Sequence, residues 1–143
     1  MRRASARSKP SSSRASWPRT RSAYLGISGA LARGSFGPKL REALALLSAG
    51  TNGCDYCASA HGFIASSLKV EGAEIDRNLA GSSADPSTAA ILAFAGRVLE
   101  TRGRVSEADL AAVRAAGASD GEIAETWPTS PSTSSPTIST MWP

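Results

Sequence analysis

An all-α fold follows from three features of this 143-residue chain. Apolar residues recur at helical spacing from about residue 23 to residue 126. No stretch shows the alternation of a half-buried strand. The helical segments are bounded by the residue types that start and stop helices. The length suits one domain with a real core and is short for two. Composition marks three zones. Residues 1–22 are Arg, Ser and Pro, with Trp17 the only large apolar side chain, and are predicted to be a disordered basic leader. Residues 23–126 form the helical domain. Residues 127–143, "WPTSPSTSSPTISTMWP", are predicted to be a disordered Ser/Thr/Pro tail.

The elements follow in order. "AYLGISGALARG" allows a short helix loosened by its glycines. "GPKLREALALLSAG" is stronger, with Pro38 suited to the first turn and Gly50 to the position past the end. Leu40, Leu44 and Leu47 make one stripe, and Ala43 and Leu46 widen it, so this helix is predicted to be buried on most sides. "TNG" reads as a turn, with Thr51 or Asn52 placed to cap a helix over 54–70. "GAEIDRNLA" is a short amphipathic turn or helix. "DPSTAAILAFAGRVLETRG" starts on Asp85 as cap and Pro86 at the first position, closes on Gly103, and turns Ile91, Phe94, Ala95 and Val98 inward. "SEADLAAVRAAG" and "SDGEIAET" each start on a serine with an acid three residues on, the capping-box pattern.

Charge excludes several classes of function. The net charge of +4 is split along the chain, because residues 1–41 hold ten Lys or Arg and no acid, whereas 42–126 hold twelve acids and six bases. A nucleic-acid footprint needs basic residues on a folded face, and this excess lies in the leader, so no nucleic-acid partner is expected. No apolar run approaches the roughly 18 residues of a membrane span. "MRRASARSKP" has no h-region behind it, so a secretory signal is not expected. The same Arg- and Ser-rich start matches a mitochondrial transit peptide in composition but lacks regular apolar residues on one helical face. Two cysteines three apart are not a secreted disulfide framework. A cytoplasmic protein is the expectation.

The chemistry concentrates in "GTNGCDYCASAHGF", residues 50–63, which hold both cysteines and the only histidine. On a helix, Cys54, Cys57, His61, Ile64 and Leu68 follow a 3-4-3-4 spacing and share one face. A thiol at a helix N-terminus feels the positive end of the dipole, which stabilises thiolate, and His61 one turn past Cys57 can take a proton. These are the parts of a dithiol that cycles with its disulfide. Two other readings stand beside it. A metal-binding helical protein would use Cys54, Cys57 and His61, with Glu42 the only nearby fourth ligand for a structural zinc. A non-catalytic oligomeric helical domain would simply bury the cysteines as small apolar residues. Haem attachment is excluded, because His would have to follow the second Cys directly and Ala58 stands there. Glu42 would ordinarily be solvated, but its helix is apolar nearly all round, which places the carboxylate in a poorly hydrated pocket. Tyr56 and Asp55 lie off the thiol face, Asp55 as a first-turn dipole partner.

"KLREALALLSAGTNGCDYCASAHGF" resembles the alkylhydroperoxidase D-like branch of the carboxymuconolactone decarboxylase family. That branch carries an Arg-Glu pair on one helix, here Arg41-Glu42, then an Asn-Gly-Cys-x-Tyr-Cys-x-x-x-His motif, here Asn52 to His61. "AYLGISGAL" and "SDGEIAE" are similar to further family segments. The decarboxylases proper lack the cysteine pair, so the resemblance favours the peroxidase branch. It implies an all-helical homo-oligomer, trimer or higher, with its site near subunit contacts and no metal or organic cofactor. It also implies a small-molecule peroxide substrate and a dithiol electron donor protein. By that resemblance Cys57 attacks peroxide, Cys54 resolves the sulfenic acid, and Glu42 and His61 relay the proton. The sequence departs from the best-studied type at Tyr56, where a second histidine would stand. A phenol can hold a water or orient a peroxide but is a poor base at neutral pH, so Tyr56 receives a supporting part only.

The ends depart further. Past "EIAE" related sequences continue with another amphipathic helix that packs on the core, whereas this chain turns to a charge-free, proline-rich string. A shifted or mis-assigned reading frame at one or both ends is expected, with a genuine disordered tail as the alternative. Part of the core face of residues 88–99 would then stay uncovered.

Overall fold

The structure, a computed structural model, describes residues 29–129 together with Ser22, Leu25 and Gly26. The leader and almost all of the tail, with the expectations attached to them, lie outside the described residues. The chain divides into two units at Ala30/Leu31, and the second holds every helix labelled below. These are α1 (Pro38–Asn52), α2 (Asp55–Ser67), α3 (Gly72–Leu79), α4 (Pro86–Thr101), α5 (Glu107–Ala115) and α6 (Asp120–Thr129). Among the described residues there is no strand, as the missing alternation predicts. Ser22, Leu25, Gly26 and residues 29–31 are helical too, in the stretch that reads as a loosened helix.

The central helix is α1. Pro38 sits in its first turn, where the missing N–H leaves no intrahelical bond unmade. Its residues 43–49 are all buried, so α1 is wrapped by its neighbours as the widened leucine stripe predicts. One core group joins Phe36, Ala43, Leu44 and Leu47 to Ile91, Leu92 and Ala95 of α4. A second joins the other side of α4, Phe94 and Val98, to Val113 of α5, with Leu110 and Ile123 against it. The inner face read from residues 91–98 is thus correct, and it serves two clusters rather than one.

The end of α1 corrects the sequence reading. Gly50 does not stop the helix, and Thr51 and Asn52 form its last residues rather than a turn. The stop is Gly53, with φ 62° and its N–H on the carbonyls of Ala49 and Gly50. Gly50 is small for another reason: a Cβ there would lie 2.1 Å from the carbonyl oxygen of Leu79. The end of α3 touches α1 at that point. A glycine inside a helix costs about 0.5–1 kcal/mol, and here that cost permits the close approach.

Helices α4 to α6 start as their sequences predict. Asp85 accepts the N–H of Thr88, and Ser106 and Asp109 form a reciprocal capping box. Ser119 accepts the N–H of Glu122 at 3.2 Å while Glu122 accepts the Ser119 N–H at 2.9 Å. Helix α6 runs three residues past the expected boundary at Thr126, to Thr129. Pro128 falls in its last turn, where the N–H it lacks would have been one of the last helical bonds. Glu125 of α6 reaches back across the unit, where its Oε2 accepts the Ser35 N–H at 2.6 Å. Gly34 leaves room for that carboxylate, since a Cβ would lie 1.9 Å from its Oε1.

Candidate active site

Helices α1 and α2 form a tight hairpin. The single left-handed residue Gly53 separates them, and the Cys54 N–H donates to the Ala49 carbonyl at 2.9 Å. Cys54 is therefore not inside a helix, as a helix over 54–70 would have it. It is the N-cap of α2, with extended backbone, and its Sγ accepts the Cys57 N–H at 3.2 Å. Neither Thr51 nor Asn52 caps α2. A sulfur holds the place that oxygen usually takes, which the sequence signals only in hindsight, because cysteine is not among the favoured caps.

The two sulfurs are joined in a disulfide, Cys54–Cys57. One turn past Cys57, His61 turns toward α1, and its Nδ1 lies 2.8 Å from Oε2 of Glu42. The Glu42 side chain is 17% exposed and that of His61 33%, so the pair is half-sheltered, as the apolar surroundings of Glu42 predict. A carboxylate oxygen accepts, so the Nδ1–H donates to Glu42 and Nε2 remains the free ring nitrogen. The carboxylate thereby fixes the tautomer and orientation of the imidazole. Arg41 is not part of this pair: its Nη1 donates to the Phe36 carbonyl at 2.6 Å and ties down the turn entering α1.

Four of the five residues of the helix face read from the sequence, Cys54, Cys57, His61 and Leu68, are half-buried, whereas Ile64 is 42% exposed. Only Ala65 of α2 is fully buried. The helix packs on α1 and α3 by an arc through Ala58, His61, Gly62 and Ala65, and Ile64 lies at its edge. Tyr56 is 83% exposed and Phe63 76% exposed, so both rings stand largely in solvent. Among the described residues no group of three or more His, Cys, Asp or Glu side chains converges for a metal. The sulfurs hold each other, and Nδ1 of His61 is held by Glu42. Among the described residues no helix is long and apolar enough to cross a membrane.

The shifted carboxyl groups all lie outside this site. The Ser83 hydroxyl holds Glu74 below its ordinary value. Backbone N–H groups do the same for Asp85 at Thr88, Asp109 at Ser106 and Glu122 at Ser119. Asp85, Asp109 and Glu122 act at helix starts, whereas Glu74 holds Ser83 and Ala84 in the loop before α4.

Fold and site define an all-helical protein with a Cys-x-x-Cys pair at the head of one helix and a Glu–His pair bridging it to the helix before. The chain belongs to the carboxymuconolactone decarboxylase family, whose model matches residues 18–100. Two solved structures share the fold. A peroxidase-related protein from Silicibacter sp. TM1040 superposes with a TM-score of 0.71 at 20% identity. An alkylhydroperoxidase AhpD core, a peroxidase-related protein from Ralstonia eutropha JMP134, does so with a TM-score of 0.71 at 25% identity. Each match covers 79% of this chain and 62% of the other, so the chain spans under two thirds of the length of these structures. No curated protein sequence matches it.

Proposed function

We propose that the protein is a cytoplasmic thiol-dependent peroxidase of the alkyl hydroperoxide type, working through the Cys54–Cys57 pair without metal or organic cofactor. The observation that carries this reading is the 2.8 Å contact between Glu42 and His61 on the helix that also bears the disulfide. A buried-side carboxylate that orients an imidazole one turn from a thiol is a proton relay, and a structural disulfide needs none. Membership of the family and the fold shared with peroxidase-related proteins support the same reading.

In the reduced protein, Nε2 of His61 takes the Cys57 thiol proton. The thiolate attacks one oxygen of the hydroperoxide, the O–O bond breaks, and the alcohol leaves with a proton, so that Cys57 becomes a sulfenic acid. The Cys54 sulfur then attacks Cys57 Sγ and displaces hydroxide, which leaves as water, and the disulfide closes. Two electrons pass from the dithiol to the peroxide. A donor dithiol protein returns them by exchange, through a mixed disulfide. Cys54 suits its part because the Cys57 N–H stabilises negative charge on its sulfur. Tyr56, at 83% exposure, has no place in proton transfer within one protomer. The assembly in this reading is a homo-oligomer, trimer or higher.

Steady-state consumption of cumene hydroperoxide and hydrogen peroxide, with a panel of dithiol donors, is the test. Turnover that needs both cysteines supports the reading. Absence of turnover with every donor, combined with a slow reaction of the reduced protein with peroxide in single turnover, contradicts it.

A further inference from the structure

The Cys54–Cys57 disulfide can be opened at either sulfur, and the two openings leave the charge in different places. An incoming thiolate bonds to one sulfur and expels the other, and the sulfur whose thiolate is better stabilised leaves faster. Here the two sulfurs are unequal. Cys54 is the N-cap of α2, and its Sγ accepts the Cys57 N–H at 3.2 Å. Negative charge on that sulfur meets both a hydrogen-bond donor and the positive end of the helix. Cys57 is the third residue of α2, and among the described residues its Sγ accepts no hydrogen bond. What stands near Cys57 is a base. His61 lies one turn on, with Nδ1 held on Glu42 at 2.8 Å and Nε2 left to take a proton. From Cys54, the same imidazole is two turns away.

We propose that the reducing dithiol attacks Cys57 Sγ, that Cys54 is the leaving sulfur, and that His61 takes the proton of the incoming thiol. The first donor thiol gives its proton to Nε2 of His61, and the imidazolium so formed is stabilised by the Glu42 carboxylate. The donor sulfur then bonds to Cys57, the S–S bond to Cys54 breaks, and Cys54 departs as a thiolate held by the Cys57 N–H. In the second step the other donor thiol passes its proton to the Cys54 thiolate and attacks the donor's own bound sulfur. The donor leaves as its disulfide, and two electrons have entered the pair. What remains is a Cys54 thiol and a Cys57 thiolate beside a His61 imidazolium. That is the charge state that attacks a hydroperoxide, and the imidazolium proton is the one the departing alkoxide needs. The opposite opening would expel Cys57, which has no N–H to receive its charge, and would bring the incoming thiol to the sulfur farther from the base. One sulfur and one base thus serve both halves of the cycle, so the path that admits peroxide to Cys57 also admits the donor. That economy rests on the proposed function, whereas the identity of the leaving sulfur does not.

Trapping the first step on the oxidised full chain tests this. The probe is glutathione, a monothiol that cannot complete the exchange from within the mixed disulfide. The reaction is quenched at increasing times with N-ethylmaleimide, which caps the sulfur that left. Tandem mass spectrometry of the peptides then reads which cysteine carries glutathione and which carries maleimide. Extrapolated to zero time, glutathione on Cys57 with maleimide on Cys54 should exceed the reverse pattern by about 10-fold or more, the advantage of the better leaving thiolate. Glutathione mainly on Cys54, or an even division, would overturn the proposal. His61→Ala, with helical circular dichroism retained, should slow the opening by about 10-fold or more at neutral pH, as loss of the base requires. An unchanged rate would overturn the assignment of the proton to His61. No peroxide enters the measurement, so a chain without peroxidase activity still reports its leaving sulfur, and a chain with that activity can still refute the assignment.

Discussion

The hairpin of α1 and α2 and the trio α4 to α6 solve the same problem, how to begin a helix, with different atoms. The trio uses oxygen throughout: Asp85, Ser106 and Ser119 each accept a backbone N–H three residues on. The hairpin uses the sulfur of Cys54. Oxygen caps do one thing, which is to satisfy orphan donors and hold a helix start. In the proposed reading a sulfur cap does that and also carries electrons, which would tie the start of α2 to the redox state of the protein. The trio keeps Asp85, Asp109 and Glu122 at its helix starts, whereas the hairpin turns Glu42 inward to a histidine. The trio reads as scaffold and the hairpin as machinery.

Mutations should separate the two. The largest effect is expected at the relay. Glu42→Gln and His61→Ala should each slow peroxide turnover by about 10- to 10⁴-fold, the span of lost general base catalysis. They should be far from additive, because both serve one proton path. Stopped-flow alkylation of Cys57 against pH checks this, and a profile unmoved by Glu42→Gln would return Glu42 to the scaffold.

Next comes the core that both regions share. Leu92, fully buried between them, should lose about 2–5 kcal/mol of stability on change to Ala, read by urea unfolding. Gly50→Ala should cost about 1–3 kcal/mol, since the added methyl meets the Leu79 carbonyl and the backbone must shift. If Gly50→Ala were stabilising, as for an ordinary helical glycine, the close approach of α3 would be wrong.

Smaller still is the cost of an oxygen cap. Ser119→Ala should lose about 1 kcal/mol without changing turnover per folded molecule. The smallest effect is on pH dependence. Asp85, Asp109, Glu122 and Glu74 sit below their ordinary values in the folded chain because backbone N–H groups and the Ser83 hydroxyl hold their charged forms. Stability from such groups is present above the unfolded carboxylate range, about pH 4, and is lost as pH falls through the lower folded values. Acid titration by circular dichroism should therefore show α4 to α6 loosening as pH falls below about 4, where carboxylates with unshifted values would give no loss.

The scaffold was far more legible in the sequence than the machinery. Caps such as Asp85, Ser106 and Ser119 act on residues three away, so a local pattern suffices. The inward face of α4 was legible too, because Ile91, Phe94, Ala95 and Val98 repeat at helical spacing. Gly50 was misread because glycine signals both a helix stop and a close approach, and the second depends on Leu79, twenty-nine residues on. Ile64 was placed with the core because a helical wheel shows an apolar arc without showing how much of it the chain itself covers. The bond from Glu125 to Ser35 spans 90 residues and leaves no local trace. The Glu42–His61 contact spans 19; it was expected from the resemblance of the motif, since spacing alone would have left Glu42 in solvent.

The central claim is that Cys57 meets peroxide and Cys54 resolves it, and Cys54→Ser tests it most directly. Serine is a good N-cap, so this variant removes the resolving sulfur while keeping the start of α2. After one equivalent of peroxide, a sulfenate-selective reagent should label Cys57 in Cys54→Ser, because the first oxidation product has no partner to condense with. Cys57→Ser should give little or no label on Cys54. Label on Cys54 in Cys57→Ser, with none on Cys57 in Cys54→Ser, would contradict the account and exchange the roles of the two sulfurs.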